Sequence, residues 1–260
     1  MNTDFEFSRF ENDKQMGECI TGTQAKEADL YAINVLQIPS LDLIERASVG
    51  VADIVLKSCP GERILIISGV GNNGADGVCI ARLLRRAMKE PTLLICGDLR
   101  KATWEFLYQL SVFRKEGGVP EYVPDMKTQP ENVPGSEGTS MNILKLPECD
   151  VLVDAIFGIG LKRPVEGIYK DLISAAQSLR ACRIAVDVPS GINADTGEKM
   201  GVCIHADMTV TFGRNKSGLT KEEGLEAAGE ILVYDIGIPD EVYSKVTQQD
   251  PEAPVPDPGM

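Results

Sequence analysis

Residues 63–84 read RILIISGVGNNGADGVCIARLL, and the succession of residue types in them decides the fold. RILIIS is a short β-rich run, and DGVCIARLLRRAMK, residues 76–89, is amphipathic at helical spacing. Between them Gly69, Gly71 and Gly74 spell G-x-G-x-x-G directly after the predicted strand. In that context such a turn can seat a nucleotide phosphate on the N-terminus of the next helix. Its filling is polar: Asn72, Asn73 and Asp76 supply amides and a carboxylate where a dinucleotide turn tolerates almost anything. On this reading Asp76 lies in the first helical turn, complements the dipole and repels a phosphate placed there.

The same grammar continues outward. TLLICG (92–97) reads as a strand and TWEFLYQLSVFRKEG (103–117) as a helix; DVLVDAIFG (150–158), CRIAVDVPSG (182–191), ADMTVTFG (206–213) and GEILVYDIG (229–237) read as further strands, with a helix near 166–180. Two helices precede them, one capped by Thr23 and reaching Val35, one from Leu41 to Lys57. Apolar strands alternating with helices predict an α/β fold with a mostly parallel central sheet covered on both faces. Residues 1–19 form a polar, flexible extension, 20–246 the domain, and 247–260 a proline-rich tail or shortened linker, while 125–148 is a long surface connection.

With 260 residues, 43% of them hydrophobic, the chain can bury a proper core. A net charge of -13 excludes nucleic acid as the main partner. The seven cysteines are scattered without a C-x-x-C pair or zinc spacing, which fits reduced thiols in a cytoplasmic protein. No apolar run reaches the ~18–20 residues that span a bilayer.

Two later strand ends carry related chemistry. In VLVDAIFGIGLKRPVEGIYKDL, Asp154 closes a strand, a glycine-bearing loop with Lys162 and Arg163 follows, and Tyr169 lies beyond. Basic side chains and loop N–H groups there suit phosphates, although such a loop is equally a solvated surface. In IAVDVPSGINADTG, Asp187, Pro189, Ser190 and Gly191 end another strand. An aspartate inside an apolar strand needs a partner or a task, unless it merely caps a turn. His205 is the single histidine, and without a G-x-S-x-G elbow it carries no triad. Asn, Asp and Ser oxygens at three strand ends suit a hard cation.

The three stretches GVGNNGADG, VDAIFGIGLKRPVEG and VDVPSGINADTG, in this order, resemble the diagnostic motifs of the NAD(P)H-hydrate epimerase family. LIERASVGVAD, ADMTVTFGRNKSGL and AGEILVYDIGIP resemble its flanks, so that about residues 20–240 are covered. The resemblance implies a Rossmann-like three-layer sandwich, usually homodimeric, that interconverts the R and S forms of hydrated NADH or NADPH in metabolite repair. It implies a potassium ion held by Asn73, Asp154 and Ser190. It implies substrate contacts from Asn72, Asn73, Gly74, Ala75 and Asp76, from Gly158, Ile159, Gly160, Leu161, Lys162, Arg163 and Pro164, with Tyr169 just beyond, and from Asp187. Ala75 departs from the family's second glycine, which would cost something if that position needs a positive φ. Many bacterial relatives continue into an ADP-dependent dehydratase domain, a fused or separate partner.

Hydration leaves a hydroxyl on the ring carbon beside the ring nitrogen, whose lone pair can expel it. Asp187 is the expected acid/base and counter-charge to the cationic ring. Two other readings compete. One is an NAD(P)-dependent oxidoreductase with Asp98 on a ribose, against which Asp76 argues; the other is a catalytically silent binding module like related domains in scaffold proteins of RNA metabolism, against which Asp187 and the acidic surface argue.

Overall fold

A computed structural model of the chain describes residues 10–11, 19–123 and 144–248. Short strand β1 (Phe10–Glu11) is followed by helices α1 (Gly22–Asn34) and α2 (Ser40–Ser58). Then come β2 (Ile64–Ser68), α3 (Asn72–Arg86), β3 (Thr92–Ile95), α4 (Trp104–Lys115), β4 (Glu121–Tyr122), β5 (Val151–Ala155), α5 (Ile168–Gln177), β6 (Cys182–Val186), β7 (Met208–Phe212), α6 (Glu222–Ala228), β8 (Glu230–Tyr234) and α7 (Asp240–Thr247). The sheet order is β1-β8-β7-β6-β5-β2-β3-β4. All neighbours pair in parallel except β1, whose Phe10 and Glu11 lie antiparallel to Tyr234 and Val233. The expected α/β sandwich with a mostly parallel sheet is the fold observed.

The pleat sorts the core into two layers. Ile64 and Ile66 of β2, with Val151 and Val153 of β5, join the cluster that contains α1, α2, α3, α4 and α7. Leu65, Ile67 and Leu152 point the other way, onto α5. From β2 the chain first winds outward to β3 and β4, then returns to place β5 on the opposite side of β2. Loops leaving β2 and β5 therefore diverge, and the crevice between them is where open α/β sheets receive ligands.

Several expectations need correction. Helix α3 begins at Asn72, not Asp76, and α1 is capped by Thr21, whose hydroxyl accepts from Gln24 N–H while the Gln24 carboxamide oxygen accepts from Thr21 N–H. Helices α6 and α7 and the two-residue strands are too short or too acidic to show a period in the sequence. Cys59, just after α2, and Cys182, which opens β6, form a disulfide, where only free thiols were expected. The pair is 123 residues apart, so only the packing of α2 against the sheet brings it together; the buried Cys79, Cys96, Cys149 and Cys203 are free thiols. Most of the expected extension, connection and tail, residues 1–9, 12–18, 124–143 and 249–260, lies outside the described residues. No described helix is long and apolar enough to cross a membrane.

Candidate active site

The turn after β2 needs glycine for close backbone approach. A Cβ on Gly69 would sit 2.3 Å from the Ile156 carbonyl oxygen, and one on Gly74 2.1 Å from that of Gly69. Ser68 Oγ donates to both the Gly69 and Gly74 carbonyls, at 2.8 and 2.9 Å, which locks the turn. Gly71 is the N-cap, and the first turn of α3 holds neither an acid nor a side-chain cap. Asp76 does not repel a phosphate at this helix end, because it is the fifth helical residue and is turned sideways into a cavity. Ala75 is fully buried in the main core at a helical φ, so its methyl causes no backbone strain.

Around the start of α3 the strand-end residues separate into two groups. In the first, Asp154 is 1% exposed and accepts three bonds from neutral donors: Ser190 N at 2.7 Å, Ser190 Oγ at 2.6 Å and Ile156 N at 3.3 Å. Ser190 Oγ in turn accepts from Phe157 N at 2.9 Å. Among the described residues no cationic side chain pairs with Asp154, and burial pushes its carboxyl up to about 6 against those hydrogen bonds. Gly158 passes against the Asn73 carboxamide, whose Nδ2 is buried without a partner. An uncompensated buried carboxylate, a hydroxyl and the Asn73 carboxamide oxygen beside Gly158 make an oxygen-rich set free of His and Cys. Such a set fits a hard, weakly hydrated cation.

The second group lines a cavity of about 130 Å³ walled by Asp29, Asn72, Asp76, Ile159, Asp187, Lys216 and Tyr243, among others. Asp187 follows β6 at φ 67°, a left-handed conformation rare for a residue with a side chain. Its backbone N–H still bonds to Val210 of β7 at 2.8 Å. Its Oδ1 meets the Lys216 ammonium at 2.7 Å and accepts from Thr211 Oγ1 at 3.0 Å. Lys216 is 2% exposed, and its ammonium also lies within 2.8–3.1 Å of Thr211 Oγ1, the Phe212 carbonyl and the Arg214 carbonyl, which share its other N–H groups. Burial pushes Asp76 well above the usual carboxylate range, and the charges of Asp187 and Asp29 add to it. Burial likewise raises Asp29 to about 7, with Lys216 opposing and Asp187 reinforcing the shift.

The loop after β5 divides among these surroundings. Ile159 lines the cavity and Leu161 is buried in the second core, while Gly160, Lys162, Arg163 and Pro164 are exposed. Lys162 Nζ reaches Thr23 Oγ1 at 3.4 Å, at the start of α1. Tyr169 packs against Phe157 at 4.9 Å and donates to the Cys96 carbonyl at 3.2 Å. Asp98 is tied to Arg100, and the His205 backbone N–H to Gln177. Lys216 and Asp29 were missed in the sequence. Lys216 sat in FGRNKSG looking like one more solvated lysine, and Asp29 interrupts the apolar α1 stripe of Ala25, Ala28 and Ala32. A charged residue in an apolar stripe was the available signal.

Comparison with known proteins follows this geometry. Residues 40–218 match the family described as YjeF-related protein N-terminus. The NAD(P)H-hydrate epimerase of Limosilactobacillus fermentum is 40% identical over 219 residues, 84% of this chain and 96% of that one. That of Levilactobacillus brevis is 37% identical over 224 residues, 86% and 95% of the two chains. The crystal structure of yeast ynu0 superposes with a TM-score of 0.68 at 21% identity, covering 88% of this chain and 93% of that one, a likeness of fold.

Proposed function

The chain belongs to the YjeF-related N-terminus family and, being similar to its curated epimerases over nearly their whole length, is an isomerase of metabolite repair acting on hydrated NADH and NADPH; from that premise we propose how its residues divide the work. The observation that carries the proposal is the buried ion pair of Asp187 and Lys216 at 2.7 Å on the wall of a cavity at the ligand edge of the sheet.

In this reading the modified nicotinamide ring enters the cavity beside Asp187, Asn72 and Asp76, and the rest of the nucleotide follows the loop from Gly158 to Pro164. The bare N-terminus of α3 and the exposed Lys162 and Arg163 favour the negative phosphates there. Loss of the hydroxyl from the ring carbon leaves a cation, and the Asp187 carboxylate lies where it can oppose that charge and take a proton from the water that adds back. Lys216 and Thr211 hold the carboxylate in one orientation, so little reorganisation accompanies the step.

Asn73, Asp154 and Ser190 would hold a potassium ion. When bound, the ion supplies fixed positive charge that neutralises Asp154 and draws the three strand ends together. A homodimer is part of the same proposal: Trp104, Leu107 and Tyr108, spaced for one face of α4, are 58%, 44% and 49% exposed and suit a second copy. The deciding experiment follows the S:R ratio of hydrated NADH by chromatography with and without the protein. Fast approach to equilibrium is expected, and an unchanged ratio defeats the reading.

A further inference from the structure

Epimerisation through a cationic ring needs a proton donor for the leaving hydroxyl, and Asp187, paired with Lys216, is already placed as the counter-charge. The same cavity contains a better placed carboxyl. Ala25, Asp29 and Ile33 recur every fourth residue along α1, and all three line the cavity. The start of α1 is pinned beside Lys216, because Ile20 N–H donates to the Asn215 carbonyl at 2.9 Å and Ser217 N–H to the Ile20 carbonyl at 2.8 Å. Asp29 is thus fixed over the pocket on a different wall from Asp187. Among the described residues it has neither a hydrogen-bond partner nor an ion-pair partner, although Ile33, Ile44 and Tyr243 share its surroundings.

Resting on the epimerase reading, we propose that Asp29 is the general acid of this site and Asp187 its basic counterpart. The Asp29 carboxyl gives its proton to the hydroxyl oxygen. The carbon–oxygen bond breaks, water departs with the bonding pair, and the nitrogen lone pair becomes the second bond of a carbon–nitrogen double bond. A water molecule then adds to the opposite face, the double-bond pair returns to nitrogen, and the surplus proton passes to Asp187. Asp29 has lost one proton and Asp187 has gained one, and exchange with bulk water resets the pair.

The surrounding charges favour this division. The titratable and charged groups that share the cavity with Asp29 are Asp76 from α3, Asp187 after β6, Lys216 after β7, Tyr243 from α7 and Glu105 from α4. Lys245 of α7 is turned to Tyr31 instead. Burial, opposed by the Lys216 charge and reinforced by that of Asp187, keeps the Asp29 proton near neutrality, at about 7. An acid poised there both holds and releases its proton at working pH, whereas burial pushes the more deeply buried Asp76 well above the usual carboxylate range.

The test measures the S:R approach rate from acidic to alkaline pH for the wild type, Asp29→Asn and Asp29→Glu, with melting temperature and substrate binding recorded alongside. The active form is the protonated one, so the wild-type rate should fall as pH rises through about 7. Asp29→Asn should be slower by about a hundredfold at neutral pH, should lose that alkaline limb, and should still bind hydrated NADH. Asp29→Glu should recover part of the rate with the limb displaced. If Asp29→Asn does not fold, Asp29→Glu carries the test, and a limb unmoved from wild type overturns the assignment. An active wild type with an equally active, equally pH-dependent Asp29→Asn overturns it too. A wild type that leaves the ratio unchanged overturns the underlying epimerase reading as well.

Discussion

Asp154 and Asp187 come from the neighbouring strands β5 and β6 and are both buried, yet Asp154 is held only by neutral donors whereas Asp187 meets the Lys216 ammonium at 2.7 Å. A buried carboxylate must be neutralised, paired or protonated. Asp187 brings its own cation, Lys216, from the segment after β7. Asp154 brings none, and its carboxyl is accordingly raised to about 6. The same side chain at adjacent strand ends is thereby held in two ways, Asp187 with its own cation and Asp154, among the described residues, with none, and the proposed division of tasks rests on that difference.

The largest effect should follow from Asp187→Asn. It keeps the shape but removes the counter-charge, and the epimerisation rate should drop by at least about a hundredfold while binding of hydrated NADH weakens much less. Near-normal turnover would place Asp187 on the same footing as a structural aspartate and dissolve the contrast.

Stability separates the two sides next. Lys216→Met leaves the Asp187 carboxylate buried without its cation, and breaking a buried pair from one side costs about 3–5 kcal/mol. Because Asp187→Asn strands the ammonium in the same way, the double variant should cost clearly less than the sum of the singles in denaturant titrations. Additive losses would mean that the 2.7 Å contact carries no coupling.

What could be read from the sequence and what could not follow the same division. Asp154, Ser190, Asn73 and Asp187 stand in short local motifs at strand ends, so their chemistry shows in the order of the residues. Lys216 and Asp29 reach the pocket from the segment after β7 and from α1, elements whose approach depends on sheet order and on the Ile20 bridge to residues 215–217. The βα alternation was legible because apolar runs and helical stripes are local. The start of α3 was misplaced because Asn72 and Asn73 read as turn formers, yet here Gly71 caps the helix and both asparagines enter it.

A smaller effect is expected from Asp154→Asn. Ser190 N–H and Ser190 Oγ donate to different oxygens of Asp154, and an amide replaces one of those oxygens by NH2, so one bond is lost at a cost of about 1–3 kcal/mol. More informative is the response to salt. Replacing sodium by potassium should raise the melting temperature of the wild type, since an ion bound only by the folded state stabilises it, and should leave Asp154→Asn unmoved. The same potassium response in both would refute the cation site, whereas Asp187→Asn should retain the response if the two sides are separate.

The smallest effect concerns the turn of helix that joins the sides. Within α3, Asn73 leans on the Asp154 side, Asp76 projects into the Asp187 cavity, and Ala75 between them points into the core. Ala75→Gly restores the glycine of the resembled motif at a position that has no positive φ to relieve. It removes a buried methyl and loosens a helix, so a loss of about 1 kcal/mol is expected, read as a slightly lower melting temperature. Turnover and the potassium response should both stay at wild-type levels, because neither side uses the methyl. A change in both at once would show that the first turns of α3 transmit strain between the cation side and the cavity, and the two aspartates would then have to be treated as one coupled site.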